Sequence, residues 1–256
     1  MPGLFVTILL SPIPFGFIKL GRWIVHALRK RHLRGLWGFV ERQPIVFVTS
    51  YADVDKILHG THAWDFYGCM ELQNFLVNEF TLQGLHSVPS MPAPDKRTRQ
   101  NNLFLVGGWI PNPVTEQLLA DDRVVYHFDY ENGEKGNDIV SRKDADFRLA
   151  ARWDDARERV IRDYGIITVA RNCYQDDRYI LAACGCFGWG TYSAQVLLKR
   201  PNVVRYLRSG GRYFQAICTC EVDAHGFPKD IHLLDLHPDD RIRRATLVAL
   251  DFGKST

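Results

Sequence analysis

YILAACGCFGWGTYSAQVLLKRP, residues 179–201, reads as a buried apolar strand, a glycine-rich turn and a helix stopped by a proline. The same form occurs upstream. LFLVGG at 103–108 is a continuous apolar run ending in two glycines, and WIPNPVTEQLLA follows it, with Asn112 suited to a helix N-cap and Pro113 to the first helical position. A third copy is less regular: IVFVTS at 45–50 is β-branched, and residues 51–80 carry helical spacing with a break at Gly60. Strands alternating with helices predict an α/β fold with helices on both faces of a sheet.

Between 124 and 183 the pattern changes. VVYHFDY, DFRLAARW, YGIITVAR and RYILAAC are strand-like runs separated by turn material such as NGEKGND and NCYQDD. These connections have hairpin length and predict antiparallel additions to the sheet. NVVRYLRSGG reads as a short helix, and RYFQAICTCEV and DIHLLDL read as closing strands. SVPSMPAPDKRTRQNN at 87–102, with three prolines and clustered charge, reads as an exposed loop.

Charge divides the chain. Residues 1–43 hold seven Lys or Arg against a single acid, Glu41, whereas the remainder holds 25 bases and 28 acids. A mildly acidic globular part excludes nucleic acid as a partner. No charged side chain occurs from Met1 to Ile18; Leu20, Trp23, Ile24, Ala27 and Leu28 then recur at helical spacing among Arg22, His26, Arg29 and Lys30. That is a basic amphipathic helix, which predicts membrane attachment through residues 1–34, either spanning or lying on the surface. A cleavable signal peptide is not expected, because no bases precede the apolar run and no small-x-small site follows it. The domain reading is a basic, membrane-prone arm at 1–43 and an α/β domain at 44–256.

Cys69, Cys173, Cys184, Cys186, Cys218 and Cys220 fall mostly in apolar strand-like runs, as buried free thiols of a reducing compartment do. With the basic arm they predict the cytoplasmic face of a membrane. The C-x-C pairs 184/186 and 218/220 lack the usual zinc spacing, so no metal is expected.

The two glycine turns mark the expected ligand edge. Gly107, Gly108, Asn112 and Thr115 belong to the first; Gly185, Gly188, Gly190 and Thr191 belong to the second. Glycines at the carboxyl end of a strand let ligand approach the backbone, and a following helix offers its N-terminal N–H groups to an anion. Gly185 to Gly190 spells G-x-x-G-x-G, the reverse of the dinucleotide spacing, and there is no P-loop lysine. Trp109, Phe187 and Trp189 either stack on a base or cover the core. Thr49, Ser50, Tyr51 and Asp53 face the same cleft if the first strand is a parallel neighbour, although Asp53 equally suits a helix N-cap. No nucleophile elbow, H-E-x-x-H or informative Cys–His spacing is present; Glu116, Asp163, Glu221 and His225 stand only as groups capable of acid–base work.

LFLVGGWIPNPVT, RDYGIITVARN and RYILAACGCFGWGTYSAQVLL together resemble a set of prokaryotic Rossmann-like domains, found in archaeal surface-layer proteins and among nucleotide-ligand-binding domains of bacterial conflict systems. The resemblance covers residues 100–200. It implies a Rossmann-like mixed sheet with Gly107, Gly108, Asn112, Gly188, Gly190 and Thr191 near its ligand edge; Trp109 stands where such turns often carry a proline. Three functions follow as expectations: a membrane-associated module binding a nucleotide-like small molecule and signalling to a protein partner; an enzyme hydrolysing or transferring at a glycosidic bond of a nucleotide or nucleoside; and an interaction domain without ligand.

Overall fold

Alternation of side chains along a strand lets each apolar run feed two cores at once. In β1 (Ile45–Thr49), Ile45 and Phe47 enter one core while Val46 and Val48 enter the other. β3 (Asn102–Val106) divides in the same way, Phe104 and Val106 against Leu103 and Leu105. The computed structural model describes residues 13–49, 61–80, 82, 86–89, 95–108, 112–129, 138–156, 158–236 and 246–252. The apolar stretch before residue 13, Ser50, Tyr51, Asp53, Trp109 and the turn at 130–137 lie outside these residues.

The fold is mixed α/β. In the main sheet β2 (His86–Pro89), β1, β3 and β9 (Gln175–Gly185) run parallel, in the order β2-β1-β3-β9. β8 (Val160–Asn172) joins β9 as an antiparallel neighbour, followed by β10 (Phe214–Val222) and β11 (Pro228–Leu233). The antiparallel pair expected between YGIITVAR and RYILAAC is therefore present as β8–β9, and the short β7 (Arg152–Trp153) pairs antiparallel with β8; β10–β11 is a further antiparallel pair.

One face of the sheet is covered by α1 (Ile13–Trp37), α2 (Thr61–Phe80), α5 (Gly188–Leu197) and α6 (Pro201–Leu207), which supply Trp37, Leu72, Leu197 and Val204 to its core. The other face carries α4 (Pro113–Ala120), through Val114, Leu118 and Leu119. The end of the basic arm belongs to this core: Leu33, Leu36, Trp37 and Val40 are buried, and the Trp37 indole donates to the Leu198 carbonyl at 3.0 Å.

Two stretches differ from the sequence reading. The loop expected at 87–102 contains β2, α3 (Lys96–Arg99) and the start of β3. Asp95 caps α3 by accepting from the Thr98 N–H at 2.8 Å, and β2 is an edge strand, where proline is tolerated. Prolines and clustered charge surround these short elements, and they mask any periodic signal. Secondly, β4 (Tyr126–Asp129), β5 (Asp138–Ser141) and β6 (Arg148–Leu149) do not extend the main sheet but form a three-stranded sheet of their own. It packs on the α4 face through Tyr126, Phe128 and Ile139.

Gln215 of β10 fastens this small sheet to the large one. Its buried Oε1 accepts from the Val125 and Tyr126 N–H groups, each at 2.8 Å, and its Nε2 donates to the Tyr126 carbonyl at 2.9 Å and to Thr168 Oγ1 at 3.0 Å. Gln215→Leu would leave two buried N–H groups without acceptors, so a loss of about 2–5 kcal/mol is expected. Urea unfolding of the variant against wild type checks this; a change under about 0.5 kcal/mol would mean that the small sheet is held by apolar packing alone.

Candidate functional site

α2 and α4, the next described helices after the adjacent parallel strands β1 and β3, lie on opposite faces of the sheet. In open α/β sheets the ligand edge lies where successive helices divide in this way. Asn112 joins the carboxyl ends of the two strands. The side chain is fully buried; Nδ2 donates to the Val48 carbonyl at 3.1 Å and to the Val106 carbonyl at 3.2 Å, while Oδ1 accepts from the Val114 and Thr115 N–H groups. One residue thus ties the end of β1 to the end of β3 and caps α4. Gly107 turns the chain here with φ +92°, and its N–H donates to the Ala183 carbonyl of β9. Gly108 is half-buried, and the Thr115 hydroxyl is buried without a hydrogen-bond partner among the described residues.

The second glycine turn is organised differently. Gly165 of β8 and Gly185 of β9 are paired across the strands, and the bare patch they leave receives the first turn of α5. A Cβ on Gly165 would lie 2.4 Å from the Gly190 carbonyl oxygen, and one on Gly190 would lie 2.0 Å from that of Tyr164. Gly185 is equally confined, 2.4 Å from Phe187 O and from Thr191 N. These glycines permit backbone-to-backbone contact between helix and sheet.

Asp163 occupies the N-terminus of that helix. Its carboxylate accepts from the Gly190 N–H at 2.6 Å, the Phe187 N–H at 3.2 Å and the Tyr164 N–H at 2.8 Å. Of the groups expected to receive an anion, those of Phe187 and Gly190 therefore already hold one, supplied by the chain. At α4 the N–H groups of Val114 and Thr115 are likewise given to Asn112. Gly188 and Thr191 are buried, and the Thr191 N–H donates to the Phe187 carbonyl. The structure thus places Gly107, Gly108, Asn112 and Thr115 at and just beyond the carboxyl end of β3, and gathers Gly185, Gly188, Gly190 and Thr191 around Asp163.

A second carboxyl lies near the first. Asp65 of α2 is buried where α2 crosses α5, a crossing at which Gly68 faces the Gln195 amide and the Gln195 Nε2 donates to the Asp65 carbonyl at 3.3 Å. Burial pushes the Asp65 carboxyl from the ordinary 3.8 up to about 7; the Thr191 hydroxyl opposes the shift and the charge of Asp163 adds to it. Burial also pushes Asp163 up to about 7, against the three backbone N–H bonds that favour its ionised form. Asp65 carries no sequence motif and only the α2–α5 packing brings it here. Asp163 had a signal, the D-Y-G triplet at 163–165, which becomes legible only when β8 is known to lie beside the second glycine turn.

The other acid–base residues do not converge. Glu116 is exposed on α4, Glu221 pairs with Arg162 on the neighbouring strand, and His225 is exposed in the turn between β10 and β11. All six cysteines are free and five are buried. Burial pushes the thiols of Cys69 and Cys220 up to about 12 and raises those of Cys184, Cys186 and Cys218, which keeps them protonated and unreactive. Among the described residues no three His, Cys, Asp or Glu side chains gather as metal ligands. No protein-family model and no curated protein matches the chain.

Two outcomes follow. A carboxyl whose pKa rises on folding makes the native state take up protons, so the contribution of Asp65 and Asp163 to stability is greatest below about pH 4, declines toward about pH 7 and is level above it. Denaturant unfolding at a series of pH values measures this, and Asp163→Asn should flatten the decline. Gly190→Ala should lose more than about 3 kcal/mol, because the clash is with backbone that cannot rotate away; a variant as stable as wild type would show that α5 does not sit on β8 in this way.

Proposed function

We propose that the chain is a Rossmann-like module that binds a nucleotide-like small molecule in the β1/β3 crevice and rests on the cytoplasmic face of a membrane through α1, as a sensor or effector. The observation that carries the reading is the departure of α2 and α4 to opposite faces from neighbouring parallel strands whose ends Asn112 ties together. In open α/β sheets ligands bind at such a point. Gly107 and Gly108 keep side chains away from the mouth, so a ribose or a base can meet the backbone. Because the helix N-terminal N–H groups are committed to Asn112 and Asp163, the ligand is held by strand-end and loop groups rather than by a helix dipole.

Support for the surface role comes from α1. Leu20, Trp23, Ile24, Val25 and Leu28 are exposed on a helix that also carries His26, Arg29, Lys30, Arg31 and Arg34. An exposed apolar stripe with bases beside it suits an anionic interface. Among the described residues no helix is long and apolar enough to cross a membrane. Free, buried thiols agree with a reducing compartment.

A nucleotide-processing enzyme is the second reading, favoured by two carboxyls near 7 beside a glycine turn. Asp163 is unsuited to it, being fully buried with three N–H donors on its oxygens. Asp65, whose Oδ1 has no hydrogen-bond partner among the described residues, is the group such an enzyme would use.

Thermal unfolding of the full chain against a panel of nucleotides, dinucleotides and cyclic nucleotides tests the binding reading. A selective rise in Tm that Gly108→Val abolishes is expected, since a ligand that binds only the native state stabilises it; no rise across the panel overturns the reading. For α1, Trp23→Glu/Leu28→Glu should reduce flotation with anionic vesicles at least about tenfold. Undiminished flotation would place attachment elsewhere.

A further inference from the structure

At the opposite edge of the sheet, by the amino ends of the parallel strands, α1 ends beside a cavity of about 620 Å3. Arg34, Arg42, Arg208 and Arg212 line it, against two carboxylates, Glu41 and Asp177. The carboxylates are already engaged, Glu41 by Arg34 at 2.9 Å and Asp177 by Gln175 and Arg178. Among the described residues neither Arg42 nor Arg208 is paired with a carboxylate. Arg212 is held by aromatic rings instead: its guanidinium lies 5.2 Å from the centroids of both Tyr179 and Tyr213, and its Nε donates to the Tyr179 hydroxyl at 3.1 Å. The stem of Arg208 lies across α1 at Gly35, where a Cβ would come within 3.5 Å of its Cγ.

Helical phase connects this cavity to the exposed stripe of α1. At 3.6 residues per turn, Leu20, Ile24, Ala27, Arg31, Arg34 and Gly35 fall on one face. They are exposed, whereas Leu33, Leu36 and Trp37, on the opposite face, are buried. Arg34 and Gly35, which line the cavity, thus continue the face on which Leu20 and Ile24 lie.

We propose that this cavity binds the phosphomonoester headgroup of an anionic lipid while α1 lies on the same membrane; the proposal rests on the reading of α1 as a surface-lying helix. Guanidinium groups grip phosphate oxygens in pairs, and four of them against two carboxylates leave two positive charges, which match a phosphate dianion better than the single charge of a phosphodiester. The volume admits a sugar-like headgroup as well as the phosphate itself.

The test uses the full chain and phosphatidylcholine vesicles carrying either phosphatidylinositol monophosphate or phosphatidylserine at matched surface charge. Expected are binding to both, a preference of at least about fivefold for the monophosphate, and competition of that preference by soluble inositol bisphosphate. Arg42→Gln/Arg208→Gln, at exposed positions, should bind both vesicle types alike. Equal binding of wild type to both vesicles overturns the cavity proposal and leaves α1 on the membrane. Binding to neither overturns both. Stabilisation by inositol bisphosphate without any vesicle preference makes a free phosphoester the ligand and overturns the lipid assignment.

Discussion

The contact between Asp163 and the first turn of α5 is the constraint on which the arrangement of the sheet and its helices depends. A buried carboxylate accepts three backbone N–H groups, two of them from the turn that leads from β9 into α5. It balances the positive end of the helix and satisfies donors that would otherwise be buried without partners. The geometry requires backbone to touch backbone, which is why Gly165, Gly185 and Gly190 meet there. With α5 fixed on β8, α2 finds its place by crossing α5 at Gly68, and that crossing buries Asp65 within reach of the charge on Asp163.

This arrangement separates two turns that look alike in sequence. Each has a buried strand, glycines and a helix. In the turn after β9 the glycines serve helix-to-sheet contact and the helix N-terminus is filled by the chain's own anion. In the turn after β3 the glycines follow a strand whose helix lies on the other face, and Asn112 joins the two strand ends.

α1 runs from the core out into solvent. Its last turns belong to the core through Leu33, Leu36 and Trp37, while the preceding turns present apolar and basic side chains outward. Arg29 of the same helix pairs with Glu79 of α2 at 2.6 Å, and Arg34 and Gly35 near its end line the arginine-rich cavity.

The strand–glycine–helix runs, the N-cap Asn112 with Pro113, the amphipathic stripe of α1 and the antiparallel strand pairs were legible in the chain because each rests on local periodicity or on turn chemistry within a few residues. Residues 86–89 and 96–99 were not, since short elements set among prolines and clustered charges read as loop. The separate small sheet depended on Gln215 reaching Val125 and Tyr126 from ninety positions away. Asp163 was visible as an acid and the glycines as a turn, but their partnership was not, because β8 and β9 had first to pair before the carboxylate could meet the helix. By itself the sequence determined which segments are strands and helices and which faces are apolar, as hydrophobic burial acts on every short stretch separately. Only the tertiary structure decided that one of two similar turns is capped by Asp163 from a neighbouring strand while in the other Asn112 ties two strand ends together, because that choice lies in hydrogen bonds between residues far apart in the chain.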